Sequence, residues 1–112
     1  MSDRAGAAQK AAPSDTAAAS LAEARGLVRR VLGTIPVRVY LFGSRALGTS
    51  RATSDIDIGL LADGPLPDEL VARLRDAFEE SAIPYHVDVI DLARVDAGFR
   101  AKVLREGQPW DD

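Results

Sequence analysis

A glycine–serine pair, Gly43-Ser44, lies between two apolar runs. The first run, residues 37–42 (VRVYLF), ends at the pair, and the second, residues 55–61 (DIDIGLL), begins after ten intervening residues. Short apolar runs bounded by turn residues predict buried strands. The sequence therefore predicts a tight turn where one strand ends and an acidic pair, Asp55 and Asp57, where the next begins.

The acidic pair has a simple geometric consequence. Residues i and i+2 of a strand share a face, with Cα atoms about 6.5–7 Å apart. Asp55 and Asp57 are therefore predicted to point the same way, while the apolar residues between and after them point into a core. Neighbouring carboxylates repel and add nothing to packing, and their simplest use is to hold hard divalent cations. A Gly-Ser turn offers backbone N–H groups and a hydroxyl to phosphate oxygens.

This combination resembles a known signature. Gly-Ser, ten residues and Asp-x-Asp are similar to the motif of the DNA polymerase beta nucleotidyltransferase superfamily. The fuller text GSRALG…R…SDIDIGLL resembles its small prokaryotic branch, the minimal nucleotidyltransferases (MNT), from about residue 28 to residue 110. The resemblance implies a nucleotidyltransferase fold, with ATP as substrate and its triphosphate bound by Gly43, Ser44 and Arg45.

The same resemblance implies a third carboxylate, which the superfamily takes from a later strand. Asp88 fits the apolar–Asp–apolar pattern, since burial of Val87 and Val89 would turn it outward. Asp91 is the competitor, but it shares a face with Val89 and lies at the exit of the strand. Asp55, Asp57 and Asp88 are thus the expected catalytic residues and the ligands of two Mg²⁺ ions, with Mn²⁺ as an alternative.

Four further polar residues near these motifs have two interpretations each. Arg45 and Arg51 can pair with phosphate through a planar guanidinium, or can be solvated loop arginines. Ser54 either bonds a carboxylate or simply ends the loop. His86 shares a face with Asp88, so it either lines the site or lies on the sheet surface.

The length of 112 residues predicts one domain, and composition excludes several classes of function. With 17 acidic against 14 basic side chains, nucleic acid is an unlikely partner. The absence of cysteine excludes disulfides, a thiol nucleophile and zinc–thiolate sites. No signal peptide and no run of about 18 apolar residues is present, so no membrane is expected and the cytoplasm is the expected location.

The remaining patterns predict the architecture. Residues 1–13 are expected to form a disordered tail and residues 14–112 the domain. Helices are predicted at 16–32 and 67–81, with a short helical turn at 44–47, a strand at 85–90, and a last helix from Asp96 to Gly107. In that helix Phe99, Val103 and Leu104 are expected to face inward. The fold class is α/β (α+β), with helices packed on a small mixed sheet of about three or four strands.

Three predictions remain: one for Trp110, one for three arginines of the first helix, and one for function. Trp110 is expected to pack the C-terminus onto the body, and Arg25, Arg29 and Arg30 to form the wet face of the first helix. The MNT resemblance implies an antitoxin that adenylylates a tyrosine of a HEPN toxin and forms a hetero-oligomer with it. The alternatives are a catalytically silent antitoxin that blocks its partner sterically, and a nucleotidyltransferase for a small antibiotic-type molecule.

Overall fold

The elements follow the predicted order, with one short strand added. The computed structural model describes residues 12–47 and 55–110. The helices are α1 (Ala12–Leu32), the single turn α2 (Ser44–Leu47), α3 (Asp68–Glu80) and α4 (Ala97–Glu106). The strands are β1 (Arg38–Phe42), β2 (Ile56–Leu61), β3 (Val87–Asp91) and the two-residue β4 (Gln108–Pro109).

The strands form one mixed sheet in the order β3-β2-β1-β4. Strand β1 is antiparallel to both β2 and β4, whereas β2 and β3 are parallel. The end of β1 therefore meets the beginnings of β2 and β3 at one end of the sheet. Ile56, Ile58 and Leu60 are completely buried, which confirms the predicted alternation along β2.

Helices cover both faces of the sheet. On one face, α1 and α3 pack against the buried side of β2 to form the main core, which includes Val28 and Leu74. On the other face, a smaller cluster joins Tyr40 and Leu92 to Val103 of α4. Leu61 and Ile90 pack against this smaller cluster. Because side chains alternate along a strand, Asp57 and Asp88 lie on this second face, toward the end where β2 and β3 begin.

The last described residue, Trp110, packs against the body, as predicted. Its indole is 5% exposed, and its backbone N–H donates to the Val39 carbonyl at 2.7 Å. The Arg29 guanidinium donates to the Trp110 carbonyl at 2.7 Å. Arg29 is half-buried and bonded to this carbonyl, so its predicted place on the solvent-exposed face of the helix is wrong.

Two other expectations differ from the structure. Helix α1 begins at Ala12 rather than near residue 16, because its alanine-rich first turns have high helix propensity without an apolar stripe. Leu104 is 40% exposed, so its inward placement is wrong. It directly follows the buried Val103, and successive helical residues lie about 100° apart. The predictions for residues 1–11 and for the loop at 48–54 lie outside the described residues.

Among the described helices, none combines the length and the apolar character that a membrane crossing requires.

Candidate functional site

The turn after β1 requires a glycine. Gly43 has φ of +79°, which L residues with a side chain rarely adopt. A Cβ on Gly43 would also collide with the Asp57 carboxylate, which lies directly against it. The Gly43 carbonyl accepts from the Ala46 N–H at 3.1 Å, so the chain passes directly into α2, whose first residue is Ser44. The turn and the acidic pair, ten residues apart in sequence, are therefore in contact.

The strand register brings the predicted carboxylates together. Asp57 is the Cα partner of Phe42 in β1 and of Asp88 in β3. Asp57 is half-buried, Asp88 is exposed, and Asp55 lies exposed just before β2. Three acidic side chains from two adjacent strands thus lie at the end of the sheet that also carries the Gly43 turn.

The pKa of Asp57 is raised above its ordinary value by the surroundings of this acidic group. The largest cause is burial, followed by the negative charges of Asp88 and Asp55. The charge of His86 acts in the opposite direction and lowers the pKa. Asp57 is therefore a carboxylate under repulsion, which an added cation would relieve.

The chemistry of these donors fits a hard divalent cation, since all three are carboxylates and two are register partners. Among residues 12–47 and 55–110, however, no group of three or more His, Cys, Asp or Glu side chains is close enough to hold a metal ion. Within the described residues, the carboxylates are neighbours without forming a complete ligand set. The metal site thus stays a prediction.

Arg45 connects the turn to both acidic strands. Its Nε donates to the Asp55 carbonyl at 3.2 Å, and its guanidinium carbon lies 4.6 Å from the centre of the Tyr85 ring. Tyr85 precedes β3 and packs against the main core. Tyr85 had no predicted role at the site. The only available signal was its position, three residues before Asp88.

Of the other candidate polar residues, the structure describes His86. Its side chain is exposed, and its backbone carbonyl accepts from the Ile56 N–H at 2.9 Å, which extends the β2–β3 ladder. A catalytic role for His86 stays a prediction. Arg51 and Ser54 lie outside the described residues.

A cavity of about 300 Å³ opens beside Asp88, and Tyr85 and His86 contribute to its wall. A larger cavity of about 520 Å³ is lined by residues around Val37 and Ala62, at the opposite end of the β1–β2 pair. Asp88 is the member of the acidic group that lines the smaller cavity, whose wall also includes Phe78 and Glu79 of α3.

Asp91, the competitor of Asp88, has a different environment. It is 6% exposed and accepts hydrogen bonds from the backbone N–H groups of Leu66 at 2.8 Å and Ala93 at 3.0 Å. It also forms an ion pair with Arg94 at 3.3 Å. These contacts use the carboxylate to hold the loop before α3 against the end of β3, so Asp91 has a structural role.

Comparison with known proteins agrees with this geometry. Residues 34–109, more than half of the chain, match the family described as polymerase beta, nucleotidyltransferase. The chain belongs to this nucleotidyltransferase family. The match runs from just before β1 to β4, so it includes both the Gly43 turn and all three carboxylates.

Individual relatives agree with this family assignment. This nucleotidyltransferase is 39% identical over 68 residues to the probable protein adenylyltransferase MntA of Haemophilus influenzae, and the match covers 61% of this chain and 59% of MntA. The chain spans just over half the length of the curated relatives that it matches.

Two solved structures resemble the nucleotidyltransferase. A chain in a crystal structure of a toxin–antitoxin with AMP-PNP superposes with a TM-score of 0.63 at 30% identity, covering 78% of this chain and 72% of that one. A chain in the complex of tri-AMPylated Shewanella oneidensis HEPN toxin with MNT antitoxin gives a TM-score of 0.54 at 25% identity, covering 82% and 69%.

Proposed function

We propose that this nucleotidyltransferase moves the adenylyl group (AMP) of ATP to a hydroxyl, that of a tyrosine in a HEPN toxin, and so acts as an antitoxin. The observation that carries the proposal is the register pair Asp57–Asp88 with Gly43 directly against Asp57. Support for the acceptor comes from the structural relative, which contains an AMPylated HEPN toxin, and support for the donor from the relative with AMP-PNP.

In the proposed reaction the acceptor oxygen bonds to the α-phosphorus while the bond from that phosphorus to the bridging oxygen breaks. Pyrophosphate leaves, and the hydroxyl proton passes to solvent. Asp55, Asp57 and Asp88 would hold two Mg²⁺ ions, or Mn²⁺ in their place. Such cations supply charge neutralisation for the pyrophosphate and a lowered pKa for the attacking hydroxyl. No side-chain base is required.

The turn after β1 is assigned to the triphosphate. Backbone N–H groups at Gly43 and Ser44 would donate to phosphate oxygens, and glycine lets the phosphate approach the backbone closely. Arg45 adds a positive charge beside the acidic strands, held by its contacts with Asp55 and Tyr85. Gly43 lies directly against Asp57, so triphosphate and cations would share one site.

The proposed partner is a HEPN-type toxin in a hetero-oligomer, since both structural relatives come from toxin–antitoxin complexes. The net charge of −3 does not favour a polyanionic acceptor such as nucleic acid. Because the reaction would draw on ATP, we place it in the cytoplasm.

The test uses the full chain co-expressed with a HEPN protein and incubated with Mg²⁺ and ATP labelled on the α-phosphate. Label and added AMP mass on a partner tyrosine are expected, and both should be lost with Asp57→Asn. A tight complex without added mass would instead support the silent antitoxin. Label on a small-molecule acceptor would support the antibiotic-type transferase.

A further inference from the structure

We infer that Tyr85 is a positioning residue for nucleotide binding, because it holds the Arg45 guanidinium in place beside the phosphate turn. The inference rests on the proposed function, in which Arg45 contacts the triphosphate. Two contacts carry it. The guanidinium carbon lies 4.6 Å from the Tyr85 ring centre, within the range of a cation–π interaction, and Nε donates to the Asp55 carbonyl at 3.2 Å.

Tyr85 is suited to this task because its own position is fixed. Its ring is half-buried and packs against the main core. Arg45, in contrast, lies on a helix of only four residues. An arginine side chain has several rotatable bonds, and ordering it on binding a ligand is unfavourable. A ring packed against the core restricts the guanidinium before the nucleotide arrives.

The Asp55 carbonyl completes the arrangement. Arg45 follows β1, and its guanidinium contacts Asp55, which precedes β2, and Tyr85, which precedes β3. Preorganisation of this kind improves binding by reducing the ordering that the ligand must impose. It should affect ground-state and transition-state binding alike, so its loss is expected to raise KM for ATP and leave kcat nearly unchanged.

The test compares Tyr85→Leu with Tyr85→Phe, which keeps the aromatic face. Tyr85→Leu should raise KM for ATP roughly three- to tenfold and weaken AMP-PNP binding in calorimetry by the same factor. Tyr85→Phe should restore both values to within about twofold of wild type, since the face of phenylalanine also attracts a cation. Arg45→Lys, which loses the planar group and Nε, should resemble Tyr85→Leu.

A double-mutant cycle separates positioning from a general effect on folding. In an Arg45→Ala background, Tyr85→Leu should have no further effect on AMP-PNP affinity. Additive losses, a phenylalanine variant as weak as leucine, or a fall in kcat with unchanged KM would each overturn the inference. Nucleotide affinity is measurable without an acceptor. A wild-type protein that binds AMP-PNP but transfers nothing would contradict the proposed function, and the effect of Tyr85 on AMP-PNP affinity could still be interpreted.

Discussion

Asp88 and Asp91 are the same residue type, three positions apart on or at the end of β3, yet their surroundings are opposite. Asp91 is buried and accepts from two backbone N–H groups and from Arg94. Asp88 is exposed and is the register partner of another carboxylate, Asp57. Among residues 12–47 and 55–110, no comparable set of donors surrounds Asp88 or Asp57.

The difference indicates which acids stabilise the fold and which reduce its stability. A buried carboxylate with all its donors is integrated into the structure, and loss of its charge leaves those donors unpaired. Burial raises the pKa of Asp57, and the repulsive charges of Asp88 and Asp55 raise it further. Repulsion of this kind is useful only when a ligand relieves it. Asp88 is therefore expected to affect activity, and Asp91 to affect stability.

The largest effect is expected for Asp88→Asn, measured as adenylyl transfer to the HEPN partner. An amide cannot supply the anionic charge for a bound cation, so the rate should fall by on the order of 10²–10³-fold or more. The melting temperature in EDTA should remain at or above that of wild type, because one repulsive charge is gone. Asp57→Asn should behave in the same way. Wild-type transfer by Asp88→Asn would contradict the proposed role of Asp88 in activity.

The next effect concerns Asp91→Asn, measured by thermal and urea unfolding. The asparagine amide presents one oxygen and one N–H₂ group where the carboxylate accepts from three donors. The loss of a charge-assisted, buried network should cost roughly 2–3 kcal/mol. For a domain of this size, that corresponds to a fall of about 8–20 °C in Tm. Asp96→Asn is a suitable control, because Asp96 is an exposed N-cap that asparagine can replace. Equal Tm for Asp91→Asn and wild type would contradict a structural role.

Much of this distinction could be predicted from the sequence, because alternation along β2 and β3 decides which acids share a face. The opposite faces of Asp88 and Asp91 follow from the period-two pattern, whereas the direct contact of Asp57 with Gly43 was not predicted. The donors of Asp91 could not be predicted, since Leu66 is 25 residues away and its loop has no periodic signal. The same holds for strand β4, which has two residues and depends on tertiary pairing, and for the Arg45–Tyr85 contact.

A smaller effect is expected for Gly43→Ala compared with Gly33→Ala. Both glycines have positive φ, so alanine should cost about 1–2 kcal/mol of stability at each. A Cβ at Gly33 meets nothing within 4 Å, whereas at Gly43 it meets the Asp57 carboxylate. Gly43→Ala should therefore also lower the transfer rate, and Gly33→Ala should leave the rate per folded molecule unchanged. Equal activity in the two variants would show that the contact with Asp57 is dispensable.

The smallest effect is the pH dependence of stability that Asp57 imposes on the metal-free protein. Below its unfolded pKa, near 3.8, the carboxyl is protonated in both states and causes no penalty. The folded pKa is raised, so the folded protein retains this proton at pH values where the unfolded chain has released it. Wild type therefore loses stability as pH rises from about 3.8 through the raised pKa of folded Asp57.

Asparagine carries no titrating proton at this position, so Asp57→Asn should not show that loss. In EDTA at pH 7 the variant should be more stable than wild type, by less than about 1 kcal/mol because the half-exposed charges are screened. Its advantage should vanish below about pH 4, where the Asp57 carboxyl of wild type becomes neutral in the folded and the unfolded chain alike. Mg²⁺ with AMP-PNP should reverse the order, since a ligand that binds only the folded site stabilises wild type more. Thermal melts of both proteins across this pH range test the sign. If Asp57→Asn melts below wild type in EDTA at pH 7, then Asp57 stabilises the fold as Asp91 does. The proposed distinction between acids that stabilise the fold and acids that reduce its stability would then be wrong for Asp57.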